Sequence, residues 1–321
     1  MEVEVLSLRS RALKAVRDFF YSQGFLEVET PLLVPYENPD ANVENVKVLF
    51  EDFSGKGYCW YLHTSPEFFM KRLLWHGVKR IFQVCKVFRN GEVTDIHNVE
   101  FTMVEWYRVG GDYRVGMEET LRLVKAVLEA CGKEEFAFKG RRVRPGTPVY
   151  LTVSEAFREF AGVKDVLDEE EVKFLSKEDD YEDGFFKLLV ERVEPALSEF
   201  DLPVFLYDYP KKFSAMAKVK GNFAERFELY IAGLEVANGY TELTEFDDYR
   251  KKFLEKGKKA LDLGFLELLS KRPLPPCEGV ALGFDRLLML TLGVSRIDDV
   301  IPFTFKRLAG EVDSPPTPVK G

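Results

Sequence analysis

The sequence is poor in the residues that bind transition metals or build disulfide frames. It has three histidines and four cysteines among 321 residues. Cys59, Cys85, Cys131 and Cys277 stand apart with no CxxC pair. That spacing excludes the common zinc motifs and reads as free thiols of a reducing compartment. No apolar run is long enough to span a bilayer. The opening residues, MEVEVLSLRSR, are too charged for a secretory signal, so the expectation is a cytoplasmic protein. A basic excess is also missing: Lys plus Arg total 45 against 54 Asp plus Glu, a net charge of -9. General nucleic-acid binding is therefore not expected, although a local basic patch at 251–259 remains. The phosphate-cradling sequence GxxxxGK[ST] does not occur.

What is present is apolar residue in quantity, 46% of the chain, enough for a sizeable core. Leu8, Ala12, Val16, Phe19 and Phe20 fall at helical spacing, and Gly24 follows as a stop. FLEVETPLL reads as a strand broken by Pro31. Residues 58–63 read as another strand, and Thr64-Ser65-Pro66-Glu67 as a helix start. Strands are expected at 80–88 and 99–108, then a helix carrying Leu121, Val124, Val127 and Leu128. The acidic stretch 161–183 reads as an insertion or a solvated helical face, and 248–270 as a lysine-rich helix. Residues 1–307 form one expected domain, and 308–321, ending in DSPPTPVKG, an expected disordered tail. Hairpins and helices mix without regular βαβ alternation, which points to an α+β fold with an antiparallel sheet.

Three clusters carry chemistry. In FQVCKVFRNGEVTDIHNVEFTMVEWYR, residues 82–108, Glu105 and Tyr107 share a strand face with Phe101 and Met103. A carboxylate and a phenol beside apolar residues suit an alkyl chain ending in an ammonium. Arg89 and His97 flank the turn, where an anion could be gripped. The same pattern suits a solvated hairpin. In ERFELYIAGLEVANGYTEL, Glu228, Glu235 and Glu242 recur every seven residues. Such oxygen donors suit Mg²⁺ beside substrate phosphates, or a salt-bridged surface. Glu235 lies between Leu234 and Val236, a setting in which an acid needs a cationic partner. In GVALGFDRLL, Arg286 stands near the start of an apolar helix, where a guanidinium can stack on a base and reach phosphate. A Gly-rich turn with a surface arginine has the same pattern.

In this order the clusters resemble the three motifs of class II aminoacyl-tRNA synthetases. Residues 24–32 look like motif one, the dimer-interface motif. Phe88-Arg89-Asn90 with His97-Asn98-Val99-Glu100-Phe101-Thr102 looks like motif two, and Gly283-Phe284-Asp285-Arg286-Leu287 like motif three. TSPEFFMKRLL, HNVEFTMVEWY and EVANGYTEL are similar to the lysyl branch. With motif one near residue 24, the N-terminal anticodon-binding barrel of roughly a hundred residues that lysyl-tRNA synthetases carry is not expected here. The whole, over about 8–306, resembles the elongation factor P lysyltransferase family, with Ala281 and the EWY triplet fitting that branch.

The resemblance implies a class II synthetase-like antiparallel sheet flanked by helices, with ATP and Mg²⁺ as cofactors. It implies that Arg89 and Arg286 are the catalytic residues, Arg89 on the ATP α-phosphate and Arg286 against the adenine. ATP is expected to be held by Asn90, Asn98, Phe101, Glu235, Val236 and Gly283, with the adenine between Phe101 and Arg286. Glu228 and Glu235 are the implied metal ligands. Glu67 and Glu105 are assigned to the α-amino group of lysine, Tyr107 and Glu242 to its ε-ammonium and Asn238 to its carboxylate, with Ser65 and Ala281 also lining the substrate. Two departures stand out: Gly91 where the family usually has Glu, with Glu92 next to it, and Val99 in place of a usual proline. Ala281 stands where lysyl-tRNA synthetases usually have Gly: either it selects (R)-β-lysine over lysine, the form the resemblance implies, or it only packs against the neighbouring strand. The expected acceptor is a lysine of elongation factor P rather than tRNA, with homodimer formation through motif one. A small-molecule amino-acid ligase and a non-catalytic regulatory paralogue are the alternatives of the same fold.

Overall fold

The apolar stripe Leu8, Ala12, Val16 and Phe20 is the buried face of helix α1 (Val3–Ser22) in the computed structural model, which describes residues 3–39, 43–255 and 260–311. Gly24 follows at φ +73°, a left-handed value that residues with a Cβ avoid, and so ends the helix. Proline at 31 has no amide to donate. It separates β1 (Leu26–Glu27) from β2 (Leu33–Val34), which pairs in a small sheet with β3 (Lys47–Glu51) and β4 (Gly57–Leu62). Helix α2 (Glu67–Trp75) leads into the hairpin β5 (Arg80–Phe88) and β6 (Glu100–Val109). Asp112 accepts from the amides of Arg114 and Val115 and so caps α3 (Tyr113–Ala130). A short hairpin, β7 (Phe136–Phe138) and β8 (Arg141–Val143), precedes β9 (Val149–Thr152).

The acidic stretch lies within a helical excursion: α4 (Val153–Ala156), α5 (Glu169–Ser176), α6 (Tyr181–Leu188) and α7 (Glu194–Leu197). Its acids are largely outward or capping, with Asp168 and Asp180 closing the N-termini of α5 and α6. Val172, Phe185 and Leu188 bury a separate apolar cluster beneath them. The chain returns through β10 (Val204–Pro210), β11 (Val219–Lys220), β12 (Phe223–Ile231) and β13 (Leu234–Thr241). The lysine-rich stretch is not one helix. It is α8 (Phe246–Glu255) and α9 (Leu263–Lys271), because Asp262 caps a fresh start by accepting from the Phe265 amide. Lysines at 256–259 of the expected basic patch lie outside the described residues. Then come β14 (Cys277–Gly283), α10 (Phe284–Leu292) and α11 (Phe305–Glu311). Helix α11 crosses the expected domain end at 307, and the Pro-rich tail lies outside the described residues. Among the described residues no helix is long and apolar enough to cross a membrane.

The main sheet has the order β1-β5-β6-β14-β13-β12-β10-β9, with β11 beside β12. It is an α+β sheet, antiparallel except where β1 meets β5 and β9 meets β10. Those parallel edges depart from the purely antiparallel sheet expected from the sequence. Parallel neighbours need a crossover, which the helical segment 153–203 supplies for β9 and β10. One face of the sheet packs Val104, Trp106, Val280 and Leu282 with residues of α1, α3 and α10. The opposite face, over β6, β14 and β13, carries the polar side chains, with α2, α8 and α9 covering one end.

Candidate active site

Alternation along β6 sends Glu105 and Tyr107 to the same face, away from Val104 and Trp106. Sheet register fixes their neighbours. Glu105 lies opposite Ala281, which lies opposite Asn238; Tyr107 lies opposite Gly279, which lies opposite Tyr240. A Cβ at Gly279 would collide with the Glu242 carboxylate and the Tyr107 ring. Glycine is what lets those two groups close over β14. Tyr107 donates its hydroxyl to Glu105 Oε1 at 2.6 Å, and Ser65 donates to Glu105 Oε2 at 2.8 Å. Burial, then the nearby Glu67 charge, pushes the Glu105 carboxyl up to about 7. The Ser65 hydroxyl also accepts from the Glu67 amide at 3.0 Å, so the start of α2 is tied to β6.

Helix α2 brings a residue that sequence reasoning missed. The side chain of Lys71 is fully buried, with Nζ 2.5 Å from Glu67 Oε1 and 2.5 Å from Glu242 Oε2. Burial opposes its charge, but Glu242 and Glu67 outweigh it and keep the ammonium protonated. Burial pushes the Glu242 carboxyl up to about 8 despite Lys71. Its Oε1 is buried without a hydrogen-bond partner. A lysine in MKRL reads as a solvated helix position. The signal available in sequence was its i,i+4 spacing from Glu67 on a helix whose Phe68, Met70 and Leu74 are all apolar.

A β-bulge shapes the neighbouring cluster. Between the pairs Leu229–Ala237 and Tyr230–Glu235 the register shifts by one residue at Val236. The shift turns Val236 into the core and sets Glu235 opposite Tyr230, on the face of Glu228. Glu228 is held by Arg226 at 2.6 Å and by the hydroxyls of Tyr209 at 2.5 Å and Tyr230 at 2.8 Å. Glu235 is 36% exposed and meets Arg286 only at 3.7 Å. Arg286 donates to the Glu235 carbonyl at 3.1 Å and to His97 Nε2. Arg89 stacks over Phe101, its Cζ 5.2 Å from the ring centroid, with Glu92 at 3.7 Å and a buried Nε that lacks a partner.

The expected anion grip by His97 is not what the structure gives. Burial, then Arg286, pushes its pKa down to about 4, so the ring is neutral and accepts from Arg286. Asn98 is spent on structure: its amide nitrogen donates to the Glu100 carbonyl at 2.7 Å and its oxygen accepts from the Phe305 amide at 2.8 Å. Asn90 is exposed, with its backbone amide on the Glu44 carbonyl. Gly91 sits at φ +78°, which accounts for glycine in place of the usual glutamate at this turn. Asp285, beside Arg286, was not singled out in the sequence. Its carboxylate accepts from the Thr102 amide and from Arg9, each at 2.6 Å, and so pins α10 to β6 and α1.

Mg²⁺ takes oxygen ligands, commonly one or two carboxylates completed by substrate phosphates and water. Among the described residues no group of three His, Cys, Asp or Glu could hold a metal ion. Glu235, half-buried and loosely paired, and Glu228, whose carboxylate has about four acceptor positions and three donors already, fit the smaller set.

The family description "tRNA synthetases class II (D, K and N)" matches residues 2–307. The chain belongs to this class II synthetase family. Among curated proteins it is similar to the elongation factor P–(R)-β-lysine ligase homolog of Aquifex aeolicus, 40% identical over 293 residues, covering 88% of this chain and 93% of that protein. The elongation factor P–(R)-β-lysine ligase of Vibrio atlanticus is 36% identical, covering 95% of this chain and 97% of its own. That of Vibrio cholerae is 36% identical, with 95% and 96% covered.

Proposed function

We propose that the chain activates lysine or (R)-β-lysine with ATP and transfers the aminoacyl group to a lysine ε-amine of elongation factor P. The observation that carries this reading is the buried, unpartnered Oε1 of Glu242, beside Tyr107 and over Gly279. A buried carboxylate oxygen without a donor is a receptacle for an ammonium. Glu67, Glu105 and Glu242 set three acids against the single cation Lys71, a surplus of negative charge suited to a diamino acid. The names of the relatives support the (R)-β-lysine substrate and the acceptor.

In the first step a carboxylate oxygen of the amino acid attacks the α-phosphorus of ATP. The bond from that phosphorus to the bridging oxygen breaks, and pyrophosphate leaves. In the second step the acceptor amine attacks the carbonyl carbon, AMP leaves and the amine loses a proton. The chain's part is alignment and charge stabilisation. Glu105, with Ser65 and Tyr107 fixing its two oxygens, holds one amino group, and Glu242 the other. Asn238, in the row of Glu105 and Ala281, faces the carboxylate. Arg89 and Arg286 meet the phosphates, and Phe101 and the Gly283 backbone the adenosine. Mg²⁺ held by Glu235 with Glu228 would neutralise phosphate charge. We place the enzyme in the cytoplasm as a homodimer joined through 24–32, where Leu26, Leu32 and nearby Tyr21 expose apolar surface. The net charge of -9 disfavours tRNA as acceptor.

The test is transfer. Purified protein with ATP, Mg²⁺ and labelled (R)-β-lysine or lysine should label purified elongation factor P and leave bulk tRNA unlabelled. Labelled tRNA with unlabelled factor would overturn the acceptor assignment.

A further inference from the structure

No step above uses Lys71, although it is the most enclosed charge in the pocket. Its Nζ lies 5.3 Å from the ring centroid of Tyr249 and 5.9 Å from those of Phe68, Tyr107 and Tyr240. It lies 2.5 Å from Glu67 Oε1 and 2.5 Å from Glu242 Oε2, and Oε1 of Glu242 is buried without a hydrogen-bond partner. The titratable groups facing Glu242 come from every covering element. They are Glu67 and Lys71 of α2, Glu105 and Tyr107 of β6, Tyr240 of β13, Tyr249 of α8, and Cys277 and Glu278 of β14. Lys71 is the one cation among them.

We propose that Lys71 is a positioning residue for the substrate: it grips Oε2 of Glu242 and turns the carboxylate so that Oε1 is presented to the terminal ammonium of the amino acid. The inference rests on the reading that lysine or β-lysine is activated here. Burial already pushes the Glu242 carboxyl up to about 8, and without Lys71 the facing Glu67 and Glu242 hold that proton more tightly still, as paired buried acids do. The incoming ammonium then has to displace that proton. Such competition depends on pH; a loss of packing does not.

The test is Lys71→Met, which keeps chain length and removes charge. Pyrophosphate exchange is followed against amino-acid concentration from about pH 6.5 to about pH 9.5, beside wild type; each unit of pKa rise is about tenfold in the ionised fraction below the pKa. The expected result is a KM for the amino acid raised about tenfold or more near neutral pH, with the gap closing as pH rises and the KM for ATP unchanged. An equal offset at every pH, or no offset, overturns the inference. Wild type silent with both lysines would instead sink the functional reading, and this inference with it. If the variant does not fold, a crystal structure of wild type with the sulfamoyl analogue of lysyl-adenylate decides. Lys71 on Oε2 with the ligand ammonium on Oε1 supports the inference. Lys71 displaced, or the ammonium elsewhere, overturns it.

Discussion

Gly279 lies directly opposite Tyr107 across β14 and β6, and the absent Cβ is the space into which the Tyr107 ring and the Glu242 carboxylate close. A methyl there cannot be absorbed by a flexible chain end, because both neighbours are buried. Overpacking of this kind costs typically ~1–3 kcal/mol. Gly279→Ala should therefore raise the KM for the amino acid by about 5–150-fold, with ATP affinity retained. Steady-state exchange with each substrate varied in turn checks this.

Glu242→Gln keeps shape and removes the charge that is proposed to meet the ammonium. Sites built around a polar substrate group discriminate by as much as ~10⁴-fold when the pairing is lost. Lysine activation should fall toward that limit while ATP binding, measured by calorimetry, stays near wild type. Comparable loss of both would mean that Glu242 serves the fold and not the substrate.

The pH dependence has a definite sign. Glu105 and Glu242 have their carboxyls pushed up to about 7 and about 8, well above the usual carboxyl range. An acid raised in the folded state adds stability that is fully present below its unfolded value and is lost as pH rises through the folded one. The free protein should thus lose stability as pH climbs through about 7 and about 8. The carboxylate forms bind ammonium, so KM for the amino acid should fall across the same window. Thermal melts near pH 6 and near pH 9, with and without lysine, check both, the gain from lysine being larger at the higher pH. Equal gains would remove Glu242 from the ammonium site.

Much of this site could be read from strand parity. The shared face of Glu105 and Tyr107 needs only the two-residue repeat of β6, and the Gly-rich strand before Arg286 needs only its composition. What escaped depends on register and burial. The bulge at Val236 decides that Glu235 shares a face with Glu228, and nothing local in LEVANG marks it. Lys71 escaped because lysines on helices usually reach water, and only the packing of α2 under α8 and α9 closes that route. Asp285 read as part of a motif, whereas its role is to join three elements. The split between α8 and α9 hung on one cap, Asp262.

Ala281 sits between Glu105 and Asn238 in the adjoining strands, the two groups assigned to the amino and carboxylate ends of the substrate. We propose that its methyl crowds an amine on the α-carbon and leaves room for one a carbon further along. A methyl-sized change in a packed pocket is worth about 10–200-fold in discrimination. Ala281→Gly should shift the ratio of kcat/KM for (R)-β-lysine over α-lysine toward α-lysine within that range. An unchanged ratio would make Ala281 a packing residue only.

The most direct measurement is pyrophosphate exchange by the purified wild-type protein with ATP, Mg²⁺ and each amino acid offered singly, without tRNA. The pocket of Glu67, Glu105 and Glu242 around Lys71 predicts strong exchange with lysine or (R)-β-lysine and background exchange with aspartate, asparagine and norleucine. Exchange with aspartate or asparagine equal to that with the two lysines would contradict the account.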